Sequence, residues 1–160
     1  MASDIFAKIG DIKGESRDAK HKDEIEVLSW SWGVSQTGSV TSGRGGGAGK
    51  ATFQDLTFTH HIDKASPLLM KSCATGSHIP EATITVRKAG KAQQDYLIIK
   101  MTDVLITGVA LSMAADETNG AENVTLQAAK VDLEYKAQKP DGSFDVGLHF
   151  KYDIKANKVG

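Results

Sequence analysis

Apolar and polar residues alternate with a period of two along most of this chain. From Leu28 to Val34 the apolar Leu28, Trp30, Trp32 and Val34 alternate with Ser29, Ser31 and Gly33, the pattern of a strand with one buried face. Upstream, Ile25 and Val27 fall on the other phase, so either a bulge lies near Val27 and Leu28 or both faces are partly covered there. Ala82, Ile84 and Val86 alternate with Glu81, Thr83, Thr85 and Arg87, and Val146, Leu148, Phe150, Tyr152 and Ile154 share one parity near the C-terminus. Both segments read as strands. Val124, Leu126 and Ala128 give way to Ala129, Val131, Leu133 and Tyr135 on the opposite parity, as a bulge that bends one strand around a corner would produce. Phe53 to His60 and Tyr96 to Leu111 are further strand regions, the second read as two strands. Turn chemistry at Lys88-Ala89-Gly90-Lys91, Thr118-Asn119-Gly120 and Pro140-Asp141-Gly142 separates the elements.

One helix interrupts the strands. Ser66 suits the N-cap and Pro67 the first helical position, where a missing N–H costs nothing. Leu69 and Cys73 then share a face, and Gly76 ends the helix in a left-handed conformation. The predicted fold is mainly β: a single β-barrel or two-sheet sandwich with one short α-helix and a long Gly-rich extended loop. At 160 residues the chain, 1–160, is expected to form one domain around one core.

Charge and composition remove several functions. With 19 basic against 20 acidic residues there is no basic field to neutralise phosphates, which argues against nucleic-acid binding. No stretch approaches the roughly 18 apolar residues of a membrane span, and the N-terminus lacks a basic segment followed by an apolar run, so neither membrane insertion nor an ordinary export signal is expected. The single cysteine, Cys73, reads as a small core residue in a chain that folds without disulfides.

The motifs that resemble catalytic or binding sites are each incomplete. Gly49-Lys50 suggests a phosphate loop, but the first glycine of that motif falls on Arg44 and the magnesium-binding hydroxyl on Ala51. The segment also leads into a strand rather than a helix. His60 and His61 are adjacent, so on a strand they point to opposite faces and do not serve one ion, while His21, His78 and His149 stand apart. Gly33-Val34-Ser35-Gln36-Thr37 lacks the last glycine of a hydrolase elbow. The expectation is a protein without catalytic, metal or cofactor sites. A barrel without chemistry either encloses a ligand or joins other copies through its edges.

The opening Asp4-Ile5-Phe6-Ala7-Lys8-Ile9-Gly10-Asp11-Ile12-Lys13-Gly14-Glu15-Ser16 resembles the haemolysin-coregulated protein (Hcp) family. So do Leu28-Ser29-Trp30-Ser31-Trp32-Gly33, Ala48-Gly49-Lys50, Gln54-Asp55-Leu56-Thr57-Phe58, Arg87-Lys88-Ala89-Gly90 and Glu122-Asn123-Val124-Thr125-Leu126, in the family's order over about residues 4–155. The resemblance implies an inner-tube subunit of the bacterial type VI secretion system. Such subunits form homohexameric rings that stack inside a contractile sheath beneath a VgrG-like spike protein and carry effector proteins in the lumen. They wait in the bacterial cytoplasm and are then expelled without a signal peptide. The alternative is a monomeric ligand-binding β-barrel. With Trp30 and Trp32 assigned to the core, alternation sends Ser29 and Ser31 the other way, and the resemblance makes theirs the lumenal, effector-contacting face. The loop Gly43, Arg44, Gly45, Gly46, Gly47, Ala48, Gly49 and Lys50 is expected to make the contacts between subunits that stack the rings, with Arg44 and Lys50 as charged anchors.

Overall fold

The computed structural model describes residues 2–38, 50–90 and 93–160. Among these residues eleven strands and one helix follow in the order β1 (Ser3–Ile9), β2 (Ile25–Glu26), β3 (Ser29–Ser31), β4 (Val34–Ser35), β5 (Thr52–Phe53), β6 (Leu56–His61), α1 (Ser66–Thr75), β7 (His78–Lys88), β8 (Asp95–Ser112), β9 (Ala121–Tyr135), β10 (Leu148–Asp153) and β11 (Lys158–Val159). All named pairings are antiparallel, and the main sheet runs β11-β10-β9-β8-β7-β1-β2, with β6 joining β3 to β9. The region read as two strands from Tyr96 to Leu111 is one strand of 18 residues, and the region from Phe53 to His60 is divided between β5 and β6.

The long strands bend together along one line. Pairing holds at Ile79 with Val104 and at Glu81 with Thr102, but skips Pro80 and Asp103. Across the next ladder it holds at Thr102 with Lys130 and at Val104 with Ala128, skipping Asp103 and Ala129. Inward parity changes at the same place in all three strands: Ile79 gives way to Ala82 and Ile84, Met101 to Val104, and Leu126 to Val131. Pro80 has no N–H to give to a ladder, and Asp103 takes a left-handed backbone, φ 54°, as an interruption of this kind requires. The slip predicted in β9 is therefore one third of a bend that folds a single sheet into two layers. On one side lie β1, the second half of β7, the first half of β8, and β10 beside Lys130–Tyr135. On the other lie the rest of β8 and β6 beside Ala121–Leu126.

The layers face each other across a core that includes Ile9, Phe58, Leu69, Ile84, Ile106 and Leu126. The sheet does not close as a barrel, and the sandwich form describes it. Its two edges meet through residues 25–31: Val27 N–H donates to Ile5 in the first layer, and Leu28 N–H to Thr59 in the second. The parity change noted in the sequence falls at that switch of partners. Ile25 and Val27 point inward, Leu28 is 52% exposed, and Trp30 and Trp32 pack partly buried against the core. The expectation that Leu28 and Val34 share the buried face is thus corrected for both, since each is 52% exposed.

The helix begins one residue earlier than the capping pattern suggested. Ala65 occupies the N-cap without a side-chain cap, and Ser66 Oγ instead accepts from the Asp63 N–H at 3.1 Å, while Asp63 accepts from Ala65 N–H. Gly76 does end it with φ 64°. Just upstream of the helix, His60 is fully buried and paired at 2.6 Å with the equally buried Glu122 across the β6–β9 ladder. Burial pushes the His60 ring toward its neutral form, but Asp63, 3.7 Å from Nδ1, and Glu122 outweigh it and raise its pKa above the ordinary value.

Two outcomes follow for stability. Asp103→Val places a β-branched residue in the left-handed region and should cost about 1–2 kcal/mol in urea unfolding, while Asp103→Asn should stay near the parent. The His60 pKa is higher folded than unfolded, so its contribution is complete below about pH 6.5 and is lost as pH rises through the folded value. The urea midpoint should fall over that range, and the double variant His60→Gln/Glu122→Gln should flatten the fall.

Candidate assembly surfaces

The bend gives the molecule two outer faces of different chemistry. On the second layer, Ser29 stands opposite Thr59 and Thr59 opposite Asn123. The next row runs from Ser31 to Thr57 and Thr125, and Gly108 follows on β8. Each of these side chains is outward because Trp30, Leu56, Phe58, Val124 and Leu126 on the same strands turn toward the core. Thr59 Oγ1 donates to Asn123 Oδ1 at 2.6 Å, which fixes that hydroxyl against its cross-strand neighbour. Gly108 is required by close approach: a Cβ there would stand 2.7 Å from Thr125 Oγ1. These two rows carry no charged residue and no long side chain.

The first layer presents the opposite character. Thr83, Lys100, Asp132 and Lys151 form one row, and Glu81, Thr102, Lys130 and Asp153 the next. His149 lies between Asp132 at 2.8 Å and Glu134 at 3.2 Å. Alternating charge of this kind keeps a surface hydrated and makes its contacts sensitive to salt.

At the β1–β2 edge, Phe6 is on the outward parity yet buried, because a polar clasp covers it. The His21 ring stacks on it at 4.3 Å, and the Arg87 guanidinium lies 5.0 Å from the ring centre. Arg87 donates to Asp18 at 2.8 Å and to Asp4 at 3.0 Å. Its hydrogen bond holds the Asp18 carboxyl at a pKa of about 2, well below the usual carboxylate range. Beside this clasp is a cavity of about 430 Å³ whose wall includes Arg17, Glu26, Leu28 and His61. At the opposite edge, β10 runs past the core. Val146 is 85% and Leu148 73% exposed, which corrects the expectation that the whole parity from Val146 to Ile154 is buried. Only Tyr152 and Asp153 of β10 pair with β11.

Ser29 and Ser31 are both exposed and share the uncharged face. Gly43, Arg44, Gly45, Gly46, Gly47, Ala48 and Gly49 lie outside the described residues, and Lys50 is exposed beside the short β4–β5 ladder. Sequence reasoning missed Thr57, Thr59, Asn123 and Thr125. Their alternation with Leu56, Phe58, Val124 and Leu126 was available, but the cross-strand register that aligns them with the two serines was not. His60 is buried and His61 exposed, on opposite faces as their adjacency required. Among the described residues no group of three or more His, Cys, Asp or Glu side chains could hold a metal ion, and no helix is long and apolar enough to cross a membrane.

Comparison with known proteins points one way. The family model for the type VI secretion system effector Hcp matches residues 6–135. Protein hcp1 of Pseudomonas aeruginosa is 50% identical over 159 residues, covering 98% of each chain. The crystal structure of Hcp1 from Salmonella typhimurium superposes with a TM-score of 0.79 at 40% identity over the full length of both chains. A structure of a type VI secretion system effector from Yersinia pestis does so at 0.77 and 37% identity, over 94% of this chain and all of that one.

Proposed function

The chain belongs to the Hcp family and is a tube component of the type VI secretion system, and from that premise we propose that six copies close into a ring with the uncharged serine and threonine face turned to the lumen. The rings stack into a tube that ends beneath a VgrG-like spike and is enclosed by the contractile sheath. The tube assembles in the bacterial cytoplasm and is expelled with effector proteins in its lumen. The protein is a single structural domain, and its work is mechanical and chaperone-like, without catalysis. The observation that supports this most is the contrast between the two outer faces. A passage for folded cargo needs short, uncharged side chains that adhere weakly, and Ser29, Ser31, Thr57 and Thr59 are of that kind. The charged rows of the other layer suit a surface that slides against a sheath with salt-screened contacts.

Native mass spectrometry tests the ring directly: a species near six chain masses is expected, and a monomer with a bound small molecule would establish the ligand-barrel alternative instead. In that ring, Ser31→Gln places a longer polar side chain in the lumen. It should leave assembly intact and reduce the amount of co-purifying effector severalfold, whereas unchanged retention across several effectors would remove the seryl face from cargo binding. For the Gly43–Lys50 loop we propose a role in stacking, supported by its glycine content and its two cations. Arg44→Glu should spare folding and ring closure while shortening tubes and lowering secretion. Tubes of normal length would reduce the loop to a surface insertion.

A further inference from the structure

The bend that folds the sheet leaves a gap beside the core. Inward parity in β9 passes from Leu126 to Val131, and between them Ala128 offers only a methyl group, half-buried against the core. There a cavity of about 240 Å³ reaches inward to Met101, Leu126 and Val131, all of them buried. Trp32, Phe53 and Ile154 also line it. The Trp32 and Phe53 rings stack with centres 5.8 Å apart, and Phe53 packs on Tyr152 at 4.9 Å, so this aromatic wall is braced by its neighbours. The exposed Gln54 and Gln127 mark the mouth. With them stands Asp55, the one charged side chain in the lining among the described residues. Asp55 Oδ2 accepts from Thr107 Oγ1 at 2.8 Å, and Oδ1 accepts from Gln127 Nε2 at 3.0 Å.

We propose that this cavity is a binding site for a small amine that carries one aromatic ring: the ring enters among Trp32, Phe53 and Met101, and the amino group is held at Asp55. Size, apolarity and charge each narrow the class. An apolar cavity of about 150 Å³ stays dry and admits benzene, whereas drug-sized ligands take roughly 300–1,000 Å³. The volume here therefore fits one ring with a short substituent. Ring carbons supply Met101, Leu126 and Val131 with dispersion contacts that the gap withholds, and the two aromatic side chains offer the ring offset or edge-on packing. At the mouth, a carboxylate with no basic side chain beside it in the lining favours a cation over an anion. Each of its oxygens keeps acceptor capacity after the bonds from Thr107 and Gln127. Those two bonds also fix the carboxylate beforehand, so little ordering is left for the ligand to impose. One chain supplies the whole lining, so the inference does not rest on the ring reading.

The test uses the full chain with isotope-labelled Met and Ile methyl groups, titrated separately with phenethylamine, ethylbenzene and phenylacetate. The amine should shift the Met101 and Ile154 methyl resonances saturably, ethylbenzene should shift the same resonances with weaker affinity, and phenylacetate should leave them in place. Asp55→Asn should weaken amine binding about fivefold and leave ethylbenzene within about twofold of the parent. Ala128→Leu fills the gap and should abolish binding of both; Ile154→Phe is a second filling variant should the first fail to fold. No saturable shift in the parent at millimolar amine would overturn the site. Amine binding that survives a filling variant with an unchanged circular dichroism spectrum lies elsewhere on the molecule and overturns it equally. Equal affinity for the amine and phenylacetate would overturn the assignment of the amino group to Asp55.

Discussion

The fold depends on one constraint: three neighbouring strands must interrupt their ladders at the same level. Pro80 withholds a donor, Asp103 adopts a left-handed backbone, and Ala129 is skipped between them and the next register. A slip in one strand alone would set its apolar residues against the polar parity of its neighbours. Because the three slip together, Ile84, Met101 and Val131 on one side and Ile79, Val104 and Leu126 on the other all reach the same core. One long sheet thereby becomes two layers. At β9 the same bend releases the far edge of the strand, so that β6 pairs before it and β10 after it.

The remaining polar devices fasten the folded sheet. His60 and Glu122 pair across the β6–β9 ladder, and removing one member of such a buried pair is more damaging than never having had it. The Phe6–His21–Arg87 clasp covers the one large apolar side chain that β1 turns outward. The switch at Val27 and Leu28 then ties the first layer to the second. Function inherits this division, because each layer keeps one free face, and their chemistries were set independently: short hydroxyls on the second, alternating charge on the first.

Much of this was legible in the sequence, and the limits have physical causes. Period-two alternation located the main strands, the parity change at Ala128 and Ala129, and the outward direction of Ser29 and Ser31, since these depend only on strand geometry. Alternation does not say how far a neighbouring layer extends, so it places Leu28 and Leu148 on a buried parity although one sits at a partner switch and the other beyond the core's end. The Ser66 cap failed because Asp63, three residues upstream, competes for the same turn. Alternation alone gives two residues of the seryl face; Thr57, Thr59, Asn123 and Thr125 join it only through register, which is a property of strand pairs rather than of any single strand. The clasp on Phe6 joins residues 4, 18, 21 and 87, a separation that local pattern does not bridge.

In the assembled ring the serine and threonine rows face inward and the charged rows of the first layer outward. Spin labels on Ser31→Cys and, separately, Lys100→Cys, each in a Cys73→Ser background, measure this through the distances between neighbouring subunits. The account predicts the distance set of a regular hexagon at both sites, with every Ser31 distance shorter than its Lys100 counterpart. Equal distances, or shorter ones at Lys100, would contradict it.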